Sequence, residues 1–244
     1  MKKEADIKKV ICQQLEMDKF FTGGFRLKGQ KSMERQPEGE RATCDAAEEL
    51  EKIAEEVRKC RKCGLGSSRT KVVAGQGNPK ARIVFVGEAP GAEEDAQGIA
   101  FIGRAGQLLT KIIKACGLRR EDVFICNILK CRPPDNRDPA ADEIVSCLPY
   151  LQRQLEIIEP EVIVALGAHA ARTLLDTNKS IGQLRGQFHE YLAGINRLPI
   201  KLMATYHPAY LLRSYSPDNR RKVWEDMKQV LSELGLPIPE RRQK

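Results

Sequence analysis

Between residues 45 and 236 the chain alternates two hydrophobic patterns. CDAAEELEKIAEEVRKC sets Ala47, Leu50, Ile53, Ala54 and Val57 on one face at helical spacing, which predicts an amphipathic helix that Asp45 is placed to cap. RIVFVG, residues 82–87, is a β-branched and aromatic run ending in glycine, the pattern of a strand buried on both faces. Runs of the same kind return in VFICN at 123–127, VIVALG at 162–167 and IKLMAT at 200–205. Helical spacing fills the intervals at about 105–116, at 140–158, in the short AHAARTLL, and at 217–234, which holds the only tryptophan, Trp224. Strands alternating with helices predict an α/β fold of three α/β/α layers, with a central four-stranded, mostly parallel sheet.

In such sheets ligands sit beyond the carboxyl ends of the strands, so the segments that follow the strands should carry the chemistry. They read GEAPG, NILKCRPPDNR, GAHA and YHPAYLLR, and three of the four bear polar or ring groups suited to reading a base. Residues 1–44 mix charges with Gly, Gln and Ser without a sustained period and read as a flexible extension, with an apolar patch at Phe20, Phe21 and Phe25. Residues 45–236 form the expected domain, and 237–244 a basic tail.

A net charge of +8 and a pI near 9.1 favour polyanionic partners, nucleic acid before a membrane surface. No run approaches the ~18–20 apolar residues of a membrane span, and MKKEADIKKVICQQ puts charges where a signal peptide is apolar, so a cytoplasmic chain is expected. Eight cysteines in such a chain point to metal ligands and buried thiols, not to a disulfide framework. Cys60 and Cys63 form a C-x-x-C pair, and Cys131 and Cys147 flank the exit of the second strand. Four thiolates suit tetrahedral zinc or an iron–sulfur cubane, and the spacing does not choose. Cys116 and Cys126 lie in apolar contexts that read as packing, while Cys12 and Cys44 carry no signal.

GEAPGAEEDAQGIAFIGRAGQLL, NILKCRPPDNRDP and HPAYLLR, downstream of the C-x-x-C pair, resemble the family 4 uracil-DNA glycosylases from about residue 45 to 236. The resemblance implies a [4Fe-4S] cluster on Cys60, Cys63, Cys131 and Cys147. It further implies a monomeric enzyme that hydrolyses the N-glycosidic bond of deoxyuridine in single- or double-stranded DNA, initiating base excision repair. A base inside a duplex must be extruded into a pocket for such chemistry, at a cost of a few kcal/mol.

At the matched positions, the resemblance puts Gly87, Glu88 and Ala89 against the substrate. Phe101 becomes a stacking face, worth on the order of 1–3 kcal/mol per base, although by residue type alone the core reading is the commoner one. The Asn127 amide offers a donor and an acceptor to the uracil edge. His207, followed by Pro208, is suited to donate to the departing base as negative charge builds on it. His169, on a helical pattern, and His189, in an edge-strand pattern, read as ordinary residues. Ala89 stands where better-known uracil glycosylases hold a water-orienting aspartate. Glu88 or Asn136 is left to place the water, with loop-holding as the alternative for both. Gly91 stands where others use a tyrosine against the thymine methyl, which makes Glu94 the candidate for that exclusion; the alternative is a solvated acidic run Glu93-Glu94-Asp95. Leu211 or Leu212 is expected to wedge into DNA and Arg213 to meet phosphate.

Three other readings compete: a non-catalytic iron–sulfur DNA-binding module of glycosylase-like fold, such as those attached to some phage polymerases; a glycosylase that traps the sugar through a histidine; and a zinc nucleotide-binding protein. Phe101, Asn127 and His207 together disfavour the first, and the absence of histidine from residues 87–109 disfavours the second.

Overall fold

The computed structural model describes residues 25–26, 40–192 and 198–241. Cys12, Phe20 and Phe21 lie outside the described residues.

In chain order the strands are β1 (Phe25–Arg26), β2 (Gln76–Gly77), β3 (Ile83–Gly87), β4 (Phe124–Asn127), β5 (Val162–Leu166), β6 (Phe188–Tyr191), β7 (Ile200–Thr205) and β8 (Glu240–Arg241). The helices are α1 (Glu40–Lys59), α2 (Leu65–Ser68), α3 (Ala92–Gln97), α4 (Arg104–Ala115), α5 (Ala141–Ile158), α6 (Ala168–Leu175), α7 (Ile181–Leu184), α8 (Pro208–Arg213) and α9 (Pro217–Glu233). β1 pairs antiparallel with β8, apart from the main sheet.

The main sheet runs β2-β4-β3-β5-β7-β6, with its four inner strands mutually parallel. Those four are the strands read from the sequence; the expected count of four is corrected to six by antiparallel β2 and β6 at the two edges. An edge strand buries little, so neither Gln76–Gly77 nor the half-exposed Phe-His-Glu-Tyr of β6 shows the continuous apolar run that marks an inner strand. β6 does carry His189, as its edge pattern implied.

Alternation along the inner strands feeds two cores. Val84, Val86, Ile163 and Ala165 point to one face, where Leu50, Ile53 and Val57 of α1 meet Leu151 and Leu155 of α5. Ile83, Phe85, Val162 and Val164 point to the other, against Leu109 and Ile113 of α4 and Val223 and Met227 of α9. Three layers follow from this period of two, because no face of the inner sheet can be left to water. α1 begins at Glu40, so Asp45 lies inside the helix and not at its cap; the turn that precedes it, ERATC, has no apolar period to announce it.

Candidate active site

The segments after β3, β4, β5 and β7 converge on a cavity of about 610 Å³ at the carboxyl end of the sheet. Register sets its floor, because Gly87 and Asn127 are partners at the ends of β3 and β4. Asn127 is 1% exposed, and among the described residues its Oδ1 has no hydrogen-bond partner. A Cβ on Gly87 would stand 2.4 Å from that oxygen and 2.4 Å from the Phe101 ring, so only glycine lets amide and ring converge here.

Phe101 belongs to the second core and also lines the cavity, which joins its two readings. Its backbone is left-handed, with φ 52°, and the surroundings hold it there. The Arg120 guanidinium donates to the carbonyls of Phe101 at 3.0 Å and Ala100 at 2.7 Å. Gly106 lets α4 pass over the same peptide, where a Cβ would stand 1.9 Å from the Phe101 carbonyl.

His207 faces Phe101 with ring centroids 5.7 Å apart. Two constraints place it. Gly167, at φ +91°, comes so close that a Cβ there would lie 2.9 Å from the His207 Cβ. At the end of β7, the Thr205 hydroxyl donates to the fully buried Asp226, which also pairs with Arg185. As the cap of α8, His207 Nδ1 accepts from the Ala209 N–H at 3.1 Å, which leaves Nε2 to carry the ring proton. Burial, with Arg213 nearby, holds the imidazole down to about 4, so the ring is neutral at neutral pH.

Glu88, Ala89, Gly91, Glu94 and Asn136 also line the cavity. Ala89 packs against the first core and brings no carboxylate. The Glu94 carboxylate accepts from the Gly91, Ile102 and Gly103 N–H groups at 3.2, 3.0 and 2.9 Å, tying the first loop to the segment after Phe101. Asp95 is buried and receives the Thr70 N–H, so within the Glu93-Glu94-Asp95 run only Glu93 lies on a solvated face. Asn136 is exposed, and its Oδ1 accepts from Arg132 at 2.8 Å.

Two expectations change. Leu211 is 1% exposed and sits in the second core, so it is not a DNA wedge. HPAYLLR closes into a helical turn in which Pro208 and Leu211, three apart, face inward, while Tyr210 and Arg213, also three apart, face outward. Leu212 is half-buried against the same core, leaving Tyr210, 37% exposed and on the cavity rim, as the outward ring of the turn. His169 is likewise not an ordinary helical residue: it lines the cavity, with one donor atom each from His169, Glu88 and Asp138 within 4.8 Å of one another. Neither Asp138 nor Tyr210 stood out in the sequence, although both lie in post-strand segments.

The four cysteines line one cleft where the end of α1, the residues after it, the loop after β4 and α5 meet. The Cys131 Sγ accepts from Arg69 at 3.1 Å and the Cys147 Sγ from the Lys130 N–H at 3.3 Å, donors that suit anionic sulfur. Burial pushes the Cys131 thiol up and the Cys147 thiol to about 11. Four thiolates lining one cleft, two of them met by N–H donors, are a donor set that fits a metal–sulfur group. Cys116 and Cys126 are buried in the two cores, as packing residues.

Residues 74–228, more than half the chain, match the family model described as the uracil DNA glycosylase superfamily. A type-4 uracil-DNA glycosylase from Thermotoga maritima is 50% identical over 184 residues, which are 75% of this chain and 93% of the relative. Type-4 enzymes from Saccharolobus solfataricus and Archaeoglobus fulgidus are 48% and 47% identical, over 76% and 79% of this chain and 87% and 96% of theirs. The chain belongs to the type-4 uracil-DNA glycosylase family.

Proposed function

We propose that this chain excises uracil from single- and double-stranded DNA by hydrolysing its N-glycosidic bond, leaving an abasic site for base excision repair. The observation that carries the reading is the buried Asn127 Oδ1, without a partner among the described residues, on a cavity that Phe101 and His207 also line. A buried acceptor left unpaired costs about 1–3 kcal/mol, and the imide N–H of a flipped uracil would relieve it while the amide nitrogen reads the adjacent carbonyl.

Phe101 stacks on the base, and Nε2–H of neutral His207 donates to the carbonyl on which charge grows as the bond breaks. Because the ring starts neutral, it supplies a hydrogen bond without first having to lose or gain a proton. Glu88 holds the water, and Asn136, on the same cavity with its Oδ1 engaged by Arg132, helps place it through its amide nitrogen. Glu94 keeps the first loop and the Phe101 segment together as one wall, where the thymine methyl is excluded. Arg213, on the outward side of α8, meets phosphate.

Cys60, Cys63, Cys131 and Cys147 would hold a [4Fe-4S] cluster, whose chemistry there is to cross-link α1, the loop after β4 and α5. Asn127 ends β4 and Cys131 lies in the loop that follows, so a fixed cleft steadies the base reader. The enzyme works as a monomer in the cytoplasm. A uracil-containing oligonucleotide treated with the protein and then alkali should be nicked at the uracil. Binding without nicking would leave a non-catalytic module instead, and sedimentation checks the monomer.

A further inference from the structure

Glu88 follows β3, Asp138 follows β4 and His169 opens α6 after β5, so three loops far apart in sequence deliver one compact group to the cavity wall. His169 Nε2 lies 3.6 Å from an Asp138 oxygen. We propose that the three act as one unit in excision: Glu88 holds and activates the attacking water, while His169 and Asp138 are positioning residues that set its charge and place. The inference rests on uracil excision by this cavity, with Glu88 at the water.

In the step it describes, the water oxygen bonds to the sugar C1′ as the bond from C1′ to the base nitrogen breaks. The electron pair leaves on uracil, stabilised by His207, and the water's proton passes to the Glu88 carboxylate and on to solvent. Glu88 must be ionised to take that proton, yet it is half-buried, and burial pushes its carboxyl above the usual range. Asp138 pushes the same way, whereas His169 and Arg213 favour the carboxylate. Of the other charged and titratable groups lining the cavity, Arg137 is paired with Glu143, Glu94 is tied to backbone N–H groups, His207 is uncharged at neutral pH, and Tyr206 and Tyr210 lie ring to ring. His169 therefore acts on Glu88 directly, and its nearness to Asp138 keeps the ring against the carboxylate.

The test is single-turnover excision against pH with the full, cluster-bearing chain on a single-uracil oligonucleotide, for the parent, E88Q, H169Q, H169K and D138N. Replacing the imidazole in H169Q should move the acid limb to higher pH, and replacing the carboxylate in D138N should move it to lower pH. Each shift should be about half a unit, the size for unit charges ~5 Å apart in watery surroundings. H169K should keep the limb at or below its parent position, and both shifts should shrink at high salt. A role confined to packing would lower rates without moving the limb in opposite directions. Melting temperature and iron content report folding for each variant, and the pair H169Q and H169K separates charge from shape. Limbs of H169Q and D138N that coincide with the parent, or move the same way, overturn the inference. An E88Q protein with the parent's rate and limb overturns the Glu88 reading beneath it, whereas loss of excision in E88Q with unmoved limbs elsewhere overturns the unit alone.

Discussion

The base cavity and the four-cysteine cleft share the segment 127–131 but treat their polar atoms in opposite ways. In the cavity, Asn127 buries an oxygen that no donor among the described residues meets. In the cleft, the sulfurs of Cys131 and Cys147 each receive an N–H. Between them Lys130, fully buried, donates to the Asn127 carbonyl at 2.9 Å and to Gln154 at 2.6 Å, so the backbone joining the two regions is itself held. One region keeps a cost in the folded state for a ligand to remove; the other gathers bonds that hold the loop still. Substitutions should therefore separate stability from activity according to the region they strike.

The largest effect is expected in the cleft. Cys131→Ala should abolish the brown colour and the roughly four irons per chain of a [4Fe-4S] centre, and cost about several kcal/mol of stability, because metal binding is folding energy at such a site. Iron analysis and denaturant melts read this out, and a colourless, zinc-loaded parent protein would remove the cluster from the comparison.

In the cavity, His207→Ala should slow single-turnover excision by ~10²–10³, the scale for losing one transition-state donor, with DNA affinity little changed. The same residue makes a pH prediction. Its folded-state value of about 4 lies below the ordinary 6.5, so the unfolded chain takes up the proton first as pH falls. Stability assigned to His207 is complete above about 6.5 and is lost between there and about 4. Denaturant midpoints that fall over this window in the parent, and less in His207→Ala, bear this out.

A smaller effect, and the sharper contrast, belongs to Asn127→Ala. Excision should drop by about 10–100-fold, matching ~1–3 kcal/mol of base recognition, while the melting temperature holds or rises because the unpaired acceptor is gone. Parallel losses of activity and stability would place Asn127 with the structural residues. The smallest signal is expected from Glu94→Ala: release of three backbone N–H groups should loosen the wall enough for measurable thymine excision from G·T mispairs, and none should appear in the parent.

Much of this architecture is written locally. The runs at 82–87, 123–127, 162–167 and 200–205 announce inner strands because burial on both faces demands uninterrupted apolar residues, and the post-strand rule then points to Glu88, Asn127 and His207 without coordinates. The edge strands escaped because they bury too little to leave a pattern. The direction of the HPAYLLR turn escaped for a related reason: two adjacent leucines look alike in sequence, and only docking against the second core decides that Leu211 turns in and Tyr210 out.

The sequence by itself determined the elements, their order and the loops that bear chemistry, since each depends on residues within a few positions of one another. Only the tertiary structure decided which loops meet. That His169 of α6 lies beside Glu88 and Asp138, and that four cysteines spread from residue 60 to 147 face one cleft, follow from parallel strand order and register, which no local pattern encodes.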